Sequence, residues 1–498
     1  MFLKKEIKGI PLVLVFVLLL AFLLRVLNLI GLPIFTDEAI YIRWTQIANG
    51  DPAWRFISLT DGKQPLFIWL NIVSQRIFSD PIFAGRFVSA IAGVLTTLGI
   101  YFLGKELFNK KTALFAAFVW AVFPFALWHD RLAMMDSLLA CFFVWGYYLE
   151  ILLAKRLKLD VALLLGVVIG AGLLTKSSAQ FLLYLLPFSL LLVKFKSKFS
   201  NKIFFLWVKL AIITVIVALL INSIQRLSPF YYIVGLKNLT FLYTANEILS
   251  FGILKGILRF WGNARSLSSW LAVYSTTLLI FVLVPFLEYK KKWKEKLLLL
   301  IYFFLPFLAL AFFAKIIYPR FMLFMAIPLI ILAGEGLNII FGIKKSLLPT
   351  AICLILFSYI FYFDFQIVFN QINAPLPAND RGQYIDDWPA GWGVKEVSAI
   401  LAQKAAGEKI VLGTEGTFGL TPAAFEIYLK DNPNVEIKGF WPISDGISWL
   451  KEKALEKPTF LILKDTQEPK PEWPVELIAK YKRGKGDNYL GFYKIIKR

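Results

Sequence analysis

Apolar runs long enough to cross a bilayer recur along most of this chain, separated by short basic stretches. A helix needs about 20 apolar residues to span the hydrocarbon core. By that measure the runs near 10–30, 82–104, 112–128, 132–153, 159–175, 178–193, 203–222, 267–288, 297–314, 320–340 and 346–365 are expected to form about eleven transmembrane helices. Hydrophobic residues make up 58% of the 498 positions and charged residues 17%, far more apolar sequence than a soluble protein of this size needs. The stretch 66–78, with Leu66-Phe67-Ile68-Trp69-Leu70, is too short to span and reads as an interfacial or re-entrant piece.

Cation placement tests this count, because cytoplasmic loops carry the excess of Lys and Arg. With the N-terminus inside, alternate loops should be basic. Lys105 to Lys111, Lys155 to Lys158, Lys194 to Lys202, Lys290 to Lys296 and Lys344-Lys345 all fall in register. The same count puts 31–81, 129–131, 223–266 and everything after about 366 outside. Met1 to Lys8 is basic, and the run behind it is too long for a signal-peptide core, so it is expected to be an uncleaved first helix.

The net charge of +21 would suggest nucleic acid in a soluble protein, but here the cations sit in loops and orient helices, so no nucleic-acid partner is expected. The two cysteines, Cys141 and Cys353, lie inside apolar runs and suggest neither a disulfide framework nor a metal site. His129 is the single histidine, which excludes a zinc site built on several histidines. Carboxylates would remain able to hold a hard divalent cation, but no metal or other cofactor is expected.

After Phe365 the composition changes. Lys409 to Leu412, Val435 to Ile437 and Thr459 to Leu463 read as strands, and Val394 to Ala406 and Ile447 to Leu455 as helices. The alternation predicts a small α/β domain over 366–498, outside the membrane, behind a transmembrane domain over 1–365 whose first outer loop is 31–81. Gly413 to Gly419 is glycine-rich after a strand but fits neither a P-loop nor a dinucleotide fingerprint.

Asp37 and Glu38 sit a few residues past the first apolar run. They are suited either to capping the helix that starts near Ala39 or to general-base chemistry at the edge of low dielectric. Asp136 lies about one turn into a transmembrane run, where an ionised acid costs roughly 2.5–3.5 kcal/mol at mid-membrane, so it is a functional candidate or the partner of an arginine such as Arg131. Lys63, Lys176 and Arg320, with Arg25, face the side where the positive-inside bias disfavours them. They read as a grip on an anionic phosphate or as helix-end cations that snorkel.

Arg25, Leu32-Pro33, Phe35-Thr36-Asp37-Glu38, Tyr41, Ala48 and Gly50 resemble the opening of the GT-C glycosyltransferases of the protein O-mannosyltransferase and aminoarabinose transferase type. The resemblance continues through Gln64-Pro65-Leu66, Gly85-Arg86-Phe87, Arg131 to Asp136, Leu174-Thr175-Lys176 and Tyr318-Pro319-Arg320-Phe321. It implies a mostly α, polytopic GT-C fold. It also implies transfer of a sugar from a polyprenyl-phosphate-sugar donor to a protein, lipid or glycan acceptor, with inversion, on the extracytoplasmic face of the cell membrane. In those terms Asp37 would be the base, with Glu38 and Asp136 as further catalytic acids. Lys63, Arg131, Lys176, Tyr318 and Arg320 would bind the substrate. Lys63-Gln64-Pro65 departs from the Lys-Pro or Pro-Pro pair of relatives, with Lys63 in the phosphate-holding role. A polytopic transporter or flippase for a lipid-linked sugar is the alternative, set back by the absence of a repeat. A non-catalytic membrane scaffold would leave Asp37 and Asp136 replaceable.

Overall fold

In lipid a backbone must satisfy its own polar groups, so apolar runs become helices. The computed structural model describes residues 11–195, 200–250, 252–275, 278–288, 290–342 and 347–497. The start of the first run at Ile10, the basic Met1 to Lys8, residues 196–199 and Lys344-Lys345 lie outside them. Among the described residues four helices are long and apolar enough to cross a membrane: Pro81–Leu107, Met135–Arg156, Asn201–Leu227 and Trp293–Phe313. Two bent pairs raise the number to as many as six, and Leu12–Val26, Leu66–Gln75, Leu159–Leu173, Ser177–Leu192, Ala326–Gly342 and Cys353–Phe369 are shorter apolar helices. Large apolar side chains such as Phe16, Phe205 and Leu220 face outward from these helices. The chain is a polytopic membrane protein.

Each expected run coincides with one of these helices, and several of the helices are short or broken. The run at 112–128 is Lys110–Ala121 followed by Pro124–Asp130, bent by 56°. Val122 and Phe123 leave helical geometry there, and Pro124, which has no N–H to donate, starts the second piece. The outer turn expected at 129–131 consequently falls at 131–134. The run at 267–288 belongs to a longer helix, Gly252–Ser275, bent by 104° against Leu278–Glu288. At 178–193 only Gln180–Leu185 is α-helical, and a 3-10 segment over Leu186–Leu192 contains Pro187.

The chain forms two compact units. The first comprises Met1–Leu29, Phe56–Leu70 and Arg86–Asn370. Its helices approach through small residues, as membrane helices do. On Leu159–Leu173, Gly166 and Gly170 share a face four residues apart. A Cβ on Gly166 would lie 2.6 Å from Val217 Cβ, and one on Gly170 2.7 Å from Ile221 Cβ.

The second unit comprises Ile30–Arg55, Asn71–Gly85 and Gln371–Arg498. Its sheet has five strands, β1 (Ile410–Glu415), β2 (Val435–Phe440), β3 (Thr459–Leu463), β4 (Val475–Lys482) and β5 (Tyr489–Ile495), in the order β2-β1-β3-β5-β4. β1 pairs in parallel with β2 and β3, while β5 runs antiparallel to β3 and β4. β1 and β3 are buried along their length, as central strands covered on both faces must be. Val411, Leu461, Leu463 and Ile495 pack there against Leu450 and Ala454 of the Ile447–Glu456 helix. β4, β5 and the Leu420–Leu429 helix were not expected from sequence. β4 is an edge strand carrying Glu476, Lys480 and Lys482, which hides its strand character.

Candidate active site

The two neighbouring acids of the second unit have different surroundings. Phe35 forms an antiparallel bridge with Ala390, the Thr36 N–H and hydroxyl both donate to the Pro389 carbonyl at 3.1 Å, and the Gly391 N–H donates to Ile34 O at 2.8 Å. This bridge fixes the start of the Thr36–Gly50 helix. Glu38 is fully buried and its Oε2 accepts from the Phe35 N–H at 2.9 Å, closing the helix end on itself. Glu38 therefore caps the helix. Asp37 lies beside it in the same first turn, partly exposed. Farther along the helix Arg43 pairs with Glu426 at 2.7 Å and Gln46 donates to Ile427 O at 3.0 Å, which ties the helix to Leu420–Leu429.

In the first unit the fold gathers cations. The segment before Gln64 lies on the Tyr232–Phe241 helix because Gly62 adopts φ +67°, and a Cβ there would come within 2.5 Å of Lys237 Cβ. Lys237 also pairs with Asp61 at 2.6 Å. Two further bonds join this segment to the end of Leu159–Leu173: Leu66 N–H to Leu174 O at 2.9 Å and Gln64 Nε2 to Ser177 Oγ at 2.6 Å. Lys63 and Lys176 are thereby carried by two adjoining stretches of chain.

Lys176 Nζ donates to Asp136 Oδ1 at 2.6 Å, and Asp136 occupies the first turn of the Met135–Arg156 helix. The same ammonium lies 4.4 Å from the centre of the Phe321 ring. Arg320, in the 3-10 turn that Pro319 opens, stacks on Tyr318 at 4.5 Å and also reaches Phe321 at 5.8 Å. Lys63 lies over Phe241 at 5.5 Å, and Phe241 is 6.2 Å from Phe321. Lys176 and Arg320 both act electrostatically on Asp136. Lys63, Lys176, Arg320, Tyr318 and Asp136 thus converge around two phenylalanines, Phe241 and Phe321, that the reading of the sequence left out. Each cation–ring contact contributes about 0.5–2 kcal/mol depending on desolvation.

The structure places the other candidate cations elsewhere. Arg131 donates to the carbonyls of Leu24 (2.7 Å), Arg25 (3.2 Å), Leu27 (2.8 Å) and Asn28 (2.9 Å). These are acceptors at the C-terminal end of Leu12–Val26, so Arg131 caps that helix. Arg25 is fully buried, pairs with Asp130 at 2.8 Å and donates to the Ala121 carbonyl at 3.1 Å. Gly93 leaves room for that pair, since a Cβ there would be 2.2 Å from Asp130 Oδ2. His129 is buried with Nδ1 2.9 Å from Phe125 O. Among the described residues no group of three or more His, Cys, Asp or Glu could hold a metal ion.

Residues 62–221 match the family described as dolichyl-phosphate-mannose-protein mannosyltransferase. An undecaprenyl phosphate-alpha-4-amino-4-deoxy-L-arabinose arabinosyl transferase of Yersinia enterocolitica is 31% identical over 117 residues, 22% of this chain. The chain spans only 20% of that relative's length. Among solved structures, ArnT from Cupriavidus metallidurans bound to undecaprenyl phosphate superposes with a TM-score of 0.57 at 13% identity, covering 97% of both chains. The archaeal oligosaccharyltransferase AglB from Archaeoglobus fulgidus, in complex with an inhibitory peptide and a dolichol-phosphate, gives 0.52 at 16% identity over 90% of this chain and 68% of its own. The mostly helical membrane part with its small C-terminal sheet is the GT-C fold that ArnT and AglB share.

Proposed function

We propose that this chain, a membrane protein of GT-C fold, is a glycosyltransferase that moves a sugar from a polyprenyl-phosphate donor to a protein, lipid or glycan acceptor. The convergence of Lys63, Lys176 and Arg320 beside Asp136 carries the reading. An anionic lipid phosphate is the ligand that such a cluster suits, and Arg and Lys grip phosphate through charge-assisted bonds. The same fold in an ArnT that holds undecaprenyl phosphate supports a lipid of that kind.

The chemistry follows from where charge develops. As the bond between the sugar and the phosphate lengthens, negative charge grows on the bridging oxygen and the anomeric carbon becomes oxocarbenium-like. Cations fixed at that oxygen stabilise the transition state more than the ground state, so they raise the rate as well as the affinity. Asp136 holds the Lys176 ammonium in place. Asp37 is the proposed base that takes the acceptor's proton, with inversion at the sugar. No metal enters the scheme. The alternation of basic loops supports a cytoplasmic N-terminus and a C-terminal domain outside the membrane.

The test is the full-length chain in liposomes with a polyprenyl-phosphate sugar, reading release of free polyprenyl phosphate. Release that Lys176→Met or Arg320→Met suppresses is the expected result. No release from any donor, with no binding of the lipid phosphate, would remove the reading.

A further inference from the structure

Beside the cation cluster the first unit carries a half-open cavity of about 260 Å³. Its walls carry amides and phenols, chiefly Gln64, Gln180, Asn222, Gln225, Tyr231 and Asn238. No charged side chain is among its lining residues. Gln64 follows Lys63 directly and Ser177, also in the wall, follows Lys176, so the cavity begins one residue, about 3.8 Å along the chain, from each phosphate-binding lysine. The Gln64–Ser177 bond holds these two sides together.

We infer that this cavity takes the sugar ring of the donor, and that the sugar is a neutral, hydroxyl-rich monosaccharide; the inference rests on the lipid-phosphate reading above. A sugar hydroxyl is both donor and acceptor, and side-chain amides and phenols supply both. Gln225 is 2% exposed, and while its Nε2 donates to Asn222 Oδ1 at 2.7 Å, its Oε1 accepts no hydrogen bond among the described residues. The size fits one ring, since pockets for drug-sized ligands begin at about 300 Å³. An ammonium or carboxylate on the sugar would meet no countercharge in these walls and would be disfavoured. A sugar bearing either group is therefore a poor donor here.

The Tyr232–Phe241 helix offers a clean way to fill the space. Tyr231, Val234, Gly235 and Asn238 recur on one face at helical spacing and all line the cavity. A Cβ added to Gly235 would meet nothing within 4 Å. Gly235→Phe puts a bulky side chain at the cavity wall from a position where a Cβ itself meets nothing, and Gly235→Ala, a better helix former in the same place, is the control for fold.

The experiment uses the full chain in liposomes with polyprenyl-phosphate donors that differ only in the sugar: a neutral hexose, an amino-deoxypentose and a hexuronic acid. The neutral hexose should be transferred with a kcat/KM about tenfold or more above the other two. Gly235→Phe should raise KM for the hexose donor about tenfold or more, while sugar-free polyprenyl phosphate still binds as to wild type. Gly235→Ala should melt no lower than wild type. Preference for the amino or acidic sugar would overturn the inference and leave the lipid-phosphate reading standing. So would equal turnover by a Gly235→Phe protein that binds the bare lipid, as for a cavity that holds part of a neutral glycan acceptor instead of the donor sugar. No transfer from any donor would remove both.

Discussion

Lys176 Nζ stands 2.6 Å from Asp136 Oδ1, and the two side chains are unequally covered, with Asp136 only 4% exposed and Lys176 26%. The acid anchors the pair and the cation keeps an open side. Removing Lys176 leaves the buried carboxylate with only the Arg320 charge acting on it, which costs about 3 kcal/mol, the low end for such a pair because Lys176 is partly solvated. Lys176→Met should therefore lower thermal stability, and Lys176→Met with Asp136→Asn should be more stable than the sum of the single losses by about 1–3 kcal/mol. Donor KM should stay raised in both. Recovery of KM along with stability in the double variant would contradict a phosphate role.

Arg131 is predicted to act on folding alone. Its guanidinium holds four carbonyls at the end of the first described helix, from Leu24 to Asn28. Arg131→Met should destabilise by at least about 2 kcal/mol, since hydrogen bonds from a charged group are among the stronger ones. The KM for donor, measured on the folded fraction, should match wild type.

Glu38 should separate from Asp37. Glu38→Ala removes the acceptor for the Phe35 N–H and should cost about 1–2 kcal/mol by thermal or denaturant melting. Glu38→Gln keeps an acceptor oxygen in place and should recover most of that loss.

Acid should loosen the segment around Glu247. The Glu247 carboxyl is held down from 4.5 to about 2, chiefly by the Lys315 ammonium and then by the Thr244 N–H. A carboxyl lowered on folding stabilises the fold above its ordinary value and loses that contribution as pH falls through its folded one. Protection from hydrogen exchange over 244–250, taken relative to the intrinsic rate at each pH, should therefore fall between pH 4.5 and about 2, and Glu247→Gln should abolish the step.

Apolar run length made the helices legible, because lipid leaves no other way to satisfy a backbone. The breaks were not legible as such: Pro124 marks one, but a run of apolar residues looks the same on either side of a 56° bend. The strands buried on both faces, β1 and β3, announce themselves as apolar stretches, whereas β4 mixes charge into an edge. At the candidate site Lys176 and Arg131 were indistinguishable in sequence, both being cations at helix ends. What separates them is which groups face them, a carboxylate and a ring for Lys176 and backbone carbonyls for Arg131, and no spacing rule carries that. The anchoring of Thr36 to Pro389, 353 residues apart, was likewise out of reach of any local pattern.

The most direct test of the account is single-turnover transfer by Asp37→Asn beside wild type, in liposomes with a competent polyprenyl-phosphate sugar. The account predicts a fall of about 10²–10⁴ in the chemical step, with binding of the polyprenyl phosphate retained. Wild-type turnover by Asp37→Asn would contradict it. So would a wild-type protein that carries the lipid-linked sugar across the bilayer and never releases the lipid phosphate.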